Sequence, residues 1–178
     1  KTVGANGDFL HPGYHLMCLN TPYLEVLLAQ VKEVCENYDA DGICTTAIMK
    51  DVLDRLGIVN GYYIPDRFRE GYGLKPSTVE AAAKKGYSLI ITVDNGIAAI
   101  DEVRYAKSLG MKIVVTDHHL PSEELPEADA VVNPHRPDDL SPFKEICGVF
   151  VAFKVVCAVE GKAPEEMLYD YGDLVALG

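Results

Sequence analysis

From about residue 38 the chain alternates two kinds of hydrophobic spacing. Ile43, Ala47, Ile48, Val52, Leu53 and Leu56 recur at helical intervals, and Gly57 stands where such a helix stops. "VNGYYIP" (Val59–Pro65) reads as a short strand rich in β-branched and aromatic residues. Ser77-Thr78-Val79-Glu80 has the form of a capping box behind Pro76, opening a helix that ends at Gly86. "SLIITV" is a continuous apolar strand. Ile97, Ile100, Val103 and Leu109 mark the next helix, with Asp101 and Glu102 in its first turn and Gly110 past its end. "KIVVT" and the shorter "DAVV" read as strands, "GVFVAFKVVCAVEG" as a helix, and Pro164–Tyr169 as a last short helix. Val26–Val34 fits a helix, or the tail of one running into a first strand.

Strands that are apolar on both faces and alternate with helices predict an α/β fold, a parallel β-sheet flanked by helices in Rossmann-like layers. Right-handed crossovers then bring the C-terminal ends of all strands to one edge, where sites form in open α/β sheets.

That edge collects unusual chemistry. "SLIITV" runs into Asp94-Asn95-Gly96, "KIVVT" into Asp117-His118-His119, and "DAVV" into Asn133-Pro134-His135. Before the first clear helix, "YDADGI" places Asp39 and Asp41 two apart; on an extended segment both carboxylates point the same way, with Gly42 turning the chain into the helix. Each motif alone has an ordinary explanation. Asp-x-Asp-Gly is commonly a turn or helix cap, Asp-Asn-Gly a strand-to-helix turn, and His-His a surface pair. An EF-hand loop is excluded, because Ile48 stands where the bidentate glutamate belongs. Three such motifs at strand ends or a helix start of one sheet point instead to a shared site. Close carboxylates repel, and divalent cations relieve the repulsion. Mixed Asp/His ligands suit Mn²⁺ or Mg²⁺, and a pair of such ions clamps an in-line displacement at phosphorus.

Composition narrows the setting. The 178 residues suit about one domain, and 48% are hydrophobic, enough for a core. No apolar run approaches a membrane span and no signal-peptide pattern opens the chain, so a cytoplasmic, membrane-free protein is expected. The five cysteines include no CxxC pair and read as reduced thiols with packing roles. A net charge of −11 argues against free-standing nucleic-acid binding by counterion release. It is compatible with acids that hold cations, and with a basic surface carried on another part of a larger protein.

"YDADGI", "TVDNGI", "VTDHH" and "VVNPHRP" match, in order, the motifs of the DHH phosphoesterases. Within them, "PDRFREGYGL", "NPHRPDDLSPFKEICGVFVAFK" and "DLVALG" resemble the RecJ-like single-strand-specific 5′→3′ DNA exonucleases, over about Tyr38 to Gly178. The resemblance implies hydrolysis of phosphodiester bonds in single-stranded DNA by a two-metal mechanism, in DNA repair and recombination. It implies that Asp41, Asp94 and His118 ligate one Mn²⁺ or Mg²⁺ and that Asp39 holds a second, with Asp94 able to bridge. His119 would contact the scissile phosphate or assist the attacking water, and Asp117 would orient the histidine pair. Arg67 would bind a substrate phosphate, and Asn95 is a further substrate-binding candidate. Two alternatives remain: a phosphodiesterase for short oligonucleotides or cyclic dinucleotides, and a non-catalytic scaffold relative.

The chain also departs from that pattern. Glu36-Asn37 precede Tyr38 where family members usually have Gly-Asp, and the stretch after "FLHP" is shorter than usual. The chain stops at Gly178, where relatives run on to another aspartate that completes the metal site, and the family's second domain does not follow. The expectation is an N-terminal segment over residues 1–37 and a DHH catalytic domain over 38–178, truncated at its C-terminal end. Further domains of the same polypeptide would lie beyond Gly178.

Overall fold

The computed structural model describes residues 39–65 and 71–178. The chain divides into two units, Lys1–Asp39 and Ala40–Gly178, and the architecture below is that of the second. Its elements run α1 (Ala40–Arg55), α2 (Pro76–Lys84), β1 (Leu89–Val93), α3 (Ile100–Ser108), β2 (Lys112–Thr116), β3 (Ala130–Val132), α4 (Gly148–Glu160) and α5 (Pro164–Leu177). The strands form a parallel sheet in the order β1-β2-β3. Leu89 pairs with Lys112 and Val93 with Thr116, while Thr116 pairs in turn with Val132. The expected α/β architecture is thus what the chain adopts.

The alternation of side chains along each strand divides the apolar residues between two cores. Ile91 and Val93 face a cluster built by α1, α4 and α5, in which Ile48, Val52, Val149, Phe153, Val156 and Met167 are almost completely buried. Ile90, Ile113 and Val115 face the opposite cluster, with Val79 of α2 and Val103 and Ala106 of α3. Helix α1 is tied to α4 and α5 by Arg55, whose guanidinium reaches Glu160 at 2.8 Å and the Tyr171 hydroxyl at 2.5 Å. Tyr171 donates to Asp51 on α1 at 2.6 Å.

Several element boundaries differ from the sequence-based expectation. Val59–Pro65 forms no strand: Val59 is 91% exposed, and Asn60 turns back to bond Asp54 and the Ile58 carbonyl. The strand-forming composition of this segment finds no ladder partner among the described residues. The capping box at Ser77 is not formed either. Lys75 is the N-cap and makes no side-chain cap, while Pro76 starts the helix, its fixed φ and missing N–H suiting the first turn. Helix α3 begins at Ile100 rather than Ile97, and the Ile97 amide donates to Asp117 instead. Helix α5 continues to Leu177, beyond the expected stop near Tyr169, since Leu174 and Val175 still pack on the first core.

Cys44 and Cys157 are buried thiols and Cys147 is a half-buried one, as expected of packing residues; burial pushes the Cys157 thiol up. Cys18, Cys35 and the Val26–Val34 segment lie outside the described residues. Among the described residues, no helix is long and apolar enough to cross a membrane.

Candidate metal centre at the strand ends

Parallel register sets the ends of the three strands level, so the residues that follow them share one edge. Asp94, the first residue after β1, is 2% exposed and adopts a left-handed conformation with φ 56°. Aspartate is among the few non-glycine residues that visit this region readily. The turn is locked on both sides. Thr92 Oγ1 donates to the Asn95 carbonyl at 2.8 Å, and the Tyr72 hydroxyl donates to the Asp94 carbonyl. Gly96 has φ 107°, and a Cβ there would lie 2.5 Å from Thr92 Oγ1.

Asp117 plays the matching part after β2. It is 1% exposed, and its amide continues the ladder by donating to the Val132 carbonyl at 3.0 Å. Its Oδ1 accepts from the amides of His118 (2.7 Å) and His119 (3.1 Å), and its Oδ2 from the amide of Ile97 (2.9 Å). The same Oδ1 lies 2.7 Å from His119 Nδ1. A carboxylate can only accept, so this contact places the ring proton on Nδ1 and leaves the Nε2 lone pair facing outward. Asn133, at the end of β3 and 2% exposed, donates to the His119 carbonyl at 2.9 Å and accepts from the His135 amide at 2.7 Å. The ends of β2 and β3 therefore each contribute one residue that fixes His119.

The chain leaves strand geometry after Thr116, which allows two adjacent histidines to face one space. Their ring centroids are 4.5 Å apart. His118 Nε2 lies 3.2 Å from Asp94 Oδ1 and 3.6 Å from Asp41 Oδ2. Asp94, His118 and His119 each offer one ligand atom within 4.8 Å of the others. A buried carboxylate beside two imidazoles is a donor set of intermediate hardness, suited to a divalent ion such as Mn²⁺.

Asp41 comes to the site by a different route from the one its spacing implies. It lies in the first turn of α1, and Gly42 is inside that helix, so the argument from an extended Asp39–Asp41 segment does not hold. Asp41 instead caps α4: Oδ2 accepts from the Gly148 amide at 2.7 Å and Oδ1 from the Val149 amide at 2.5 Å. Its carboxylate thus lies at the positive, N-terminal end of the α4 dipole. Each oxygen retains a further lone pair that can turn to a cation. Asp39 immediately precedes α1 and is half-buried. Asn95 is half-buried and donates its side-chain amide to the Val93 carbonyl at 2.8 Å, within its own turn. Arg67 lies outside the described residues.

Three participants had no individual role assigned from the sequence. Gly148 lets α4 approach Asp94 so closely that a Cβ would lie 2.4 Å from its Oδ1. A glycine as the first residue of an otherwise apolar helix was the available signal. Tyr72 was signalled by its flanking glycines, and Asn133 by its position directly after a strand.

The family model described as "DHH family, N-terminal domain" matches residues 33–178. The chain is 47% identical over 142 residues to the single-stranded-DNA-specific exonuclease RecJ of Bacillus subtilis, covering 80% of this chain and 18% of that protein. It is 41% identical over 157 residues to RecJ of Escherichia coli, covering 82% of this chain and 27% of the relative. The chain thus spans 18% and 27% of the length of these two relatives. Among solved structures, exonuclease RecJ bound to manganese superposes with a TM-score of 0.67 at 32% identity, over 90% of this chain and 43% of that one. RecJ from Thermus thermophilus in complex with Mn²⁺ superposes with a TM-score of 0.60 at 28% identity, over 92% of this chain and 24% of that one. Matched by the family model over most of its length, and carrying Asp117-His118-His119 at the end of its central strand, the chain belongs to the DHH family.

Proposed function

We propose that this chain is the catalytic domain of a RecJ-like nuclease that hydrolyses phosphodiester bonds of single-stranded DNA from the 5′ end with Mn²⁺ or Mg²⁺. The observation that carries the reading is the convergence of Asp94, His118 and His119 on one edge of a parallel sheet, in a family whose relatives are named single-stranded-DNA-specific exonucleases. The activity, the substrate and any further domains are proposals for the whole protein. So is a cytoplasmic location.

Asp94, His118 and Asp41 would hold one ion, and Asp39 a second. Bound there, such ions supply charge neutralisation at the phosphate and lower the pKa of the attacking water. The remaining chemistry rests on the chain's own residues. Asp117 holds the His119 ring by Nδ1, so that Nε2 can take a proton from the water or donate a hydrogen bond to a phosphate oxygen, according to its protonation state. Asn133 and Asp117 Oδ1 fix the His119 backbone, so the imidazole need not reorganise during reaction. Arg67 and Asn95 remain candidates for substrate binding. Asn95 would have to give up its bond to the Val93 carbonyl, or offer its side-chain oxygen.

The test is degradation of 5′-labelled and 3′-labelled single-stranded DNA, duplex DNA and dinucleotides by the complete product of the gene, with and without Mn²⁺. Release of 5′-terminal nucleotides from single strands alone, abolished by Asp94→Asn, is the expected result. Preference for dinucleotides would reassign the protein to small-substrate phosphodiesterases. Absence of both Mn²⁺ binding and hydrolysis would reassign it to a scaffold.

A further inference from the structure

Tyr72 is placed where it touches two members of the candidate centre at once. It lies in a loop between Gly71 (φ 75°) and Gly73 (φ 86°), two left-handed positions that favour glycine. The double reversal folds the loop tightly and turns the tyrosine towards the end of β1. Its hydroxyl donates to the Asp94 carbonyl, and its ring meets the His119 imidazole edge-on, with centroids 5.8 Å apart and planes at 67°. Tyr72 is 47% exposed, so the ring also borders the open side of the site.

We infer that Tyr72 is a positioning residue of the metal centre: its hydroxyl holds the Asp94 peptide in its left-handed conformation, and its ring buttresses His119. The backbone conformation of Asp94 decides where its carboxylate points. At φ 56° the carboxylate reaches His118 Nε2 at 3.2 Å. An aspartate in this region is close in energy to ordinary conformations, so one hydrogen bond to its carbonyl weights the balance appreciably. His119 is held at Nδ1 by Asp117 and at its carbonyl by Asn133, but neither bond restrains the outer face of the ring. The edge-to-face contact with Tyr72 supplies that restraint.

The inference about metal rests on the proposed function, whereas the inference about geometry can be read without metal. Tyr72→Phe keeps the ring and removes the hydroxyl; Tyr72→Leu removes both contacts. In the metal-free chain, Tyr72→Phe should move the NMR signals of the Asp94 carbonyl carbon and the Asn95 amide, while the His119 ring signals stay near their original positions. Tyr72→Leu should move the His119 ring signals as well. Calorimetric Mn²⁺ titration should show affinity lowered roughly three- to tenfold in Tyr72→Phe, the range of one ordinary hydrogen bond. The loss should be larger in Tyr72→Leu, with the metal-free Tm of Tyr72→Phe little changed, so that the weakened binding is not a folding defect. Unmoved Asp94 and Asn95 signals in Tyr72→Phe, or unchanged Mn²⁺ affinity in both variants, would overturn the positioning role. If the complete product of the gene binds no Mn²⁺, the proposed function fails, and the metal-free signals alone decide the role of Tyr72.

Discussion

Gly148→Ala adds a single methyl group at the closest approach in the site. Gly148 is the first residue of α4, and its added Cβ would lie 2.4 Å from Asp94 Oδ1 and 2.8 Å from both Cβ and Cγ of that residue. Ordinary van der Waals contact begins at 3.4 Å, so the contact must open by about 1 Å. Asp94 has little room to retreat: it is 2% exposed, and its carbonyl is held by Tyr72. Helix α4 must move instead, and its amides at Gly148 and Val149 are the ones bonded to Asp41. Overpacking of this kind costs ~1–3 kcal/mol. The helix-propensity gain of Ala over Gly offsets at most ~1 kcal/mol, and less in a first turn. A net loss of ~1–2 kcal/mol corresponds to a Tm lower by ~2–8 °C for a domain of this size. The control is Gly172→Ala in α5, where the nearest atom would be Leu168 Cδ2 at 3.7 Å. That variant should be neutral or stabilised by up to ~1 kcal/mol. Thermal denaturation by circular dichroism, with and without Mn²⁺, reads both variants. Gly148→Ala should lose Tm in metal-free buffer and also lose most of its Mn²⁺-induced rise. A Tm at or above the original, with the Mn²⁺ rise intact, would show that the close approach of α4 to Asp94 is not required.

Asp41→Ala removes both acceptors at the N-terminus of α4 and should destabilise the fold by ~1–2 kcal/mol in urea denaturation, with Asp41→Asn losing less because one acceptor remains. Asp94→Asn keeps a residue that tolerates the left-handed region, so its metal-free Tm should change little while the Mn²⁺-induced rise disappears. Phe153→Ala, at the centre of the core shared by α1, α4 and α5, should cost ~3–5 kcal/mol, read by the same denaturation. The Lys144 ammonium, with the Ser141 amide, holds the Asp139 carboxyl down at about 2. A folded-state value below the unfolded one means that this contribution is present above the ordinary carboxylate value and is lost as pH falls towards about 2. Lys144→Met should move the Asp139 titration upwards, towards 3.8, as followed by carboxyl NMR; an unmoved midpoint would exclude the pairing.

Sequence by itself determined the fold class and most of the strand-end chemistry. The apolar runs that became β1, β2 and β3 alternate with amphipathic stretches, and a parallel sheet is the economical way to bury strands apolar on both faces. Topology then obliges Asp94, Asp117 and Asn133 to share an edge, because each follows its strand directly. Where an expectation depended on a partner distant in the chain, local pattern was insufficient. Val59–Pro65 has strand composition without a ladder in the described structure, and Ile97 has helical spacing but gives its amide to Asp117, 20 residues away. Asp41 is the clearest case. Its spacing from Asp39 suggested an extended segment, yet it sits in a helix and reaches the site by capping α4, 107 residues further on. The cap of Asp41 on α4, the contact of Gly148 with Asp94 and the bond from Tyr72 to the Asp94 carbonyl all join segments that sequence spacing cannot relate. Hydrogen bonds and close packing act over a few ångströms whatever the separation along the chain, so only the tertiary structure could decide them.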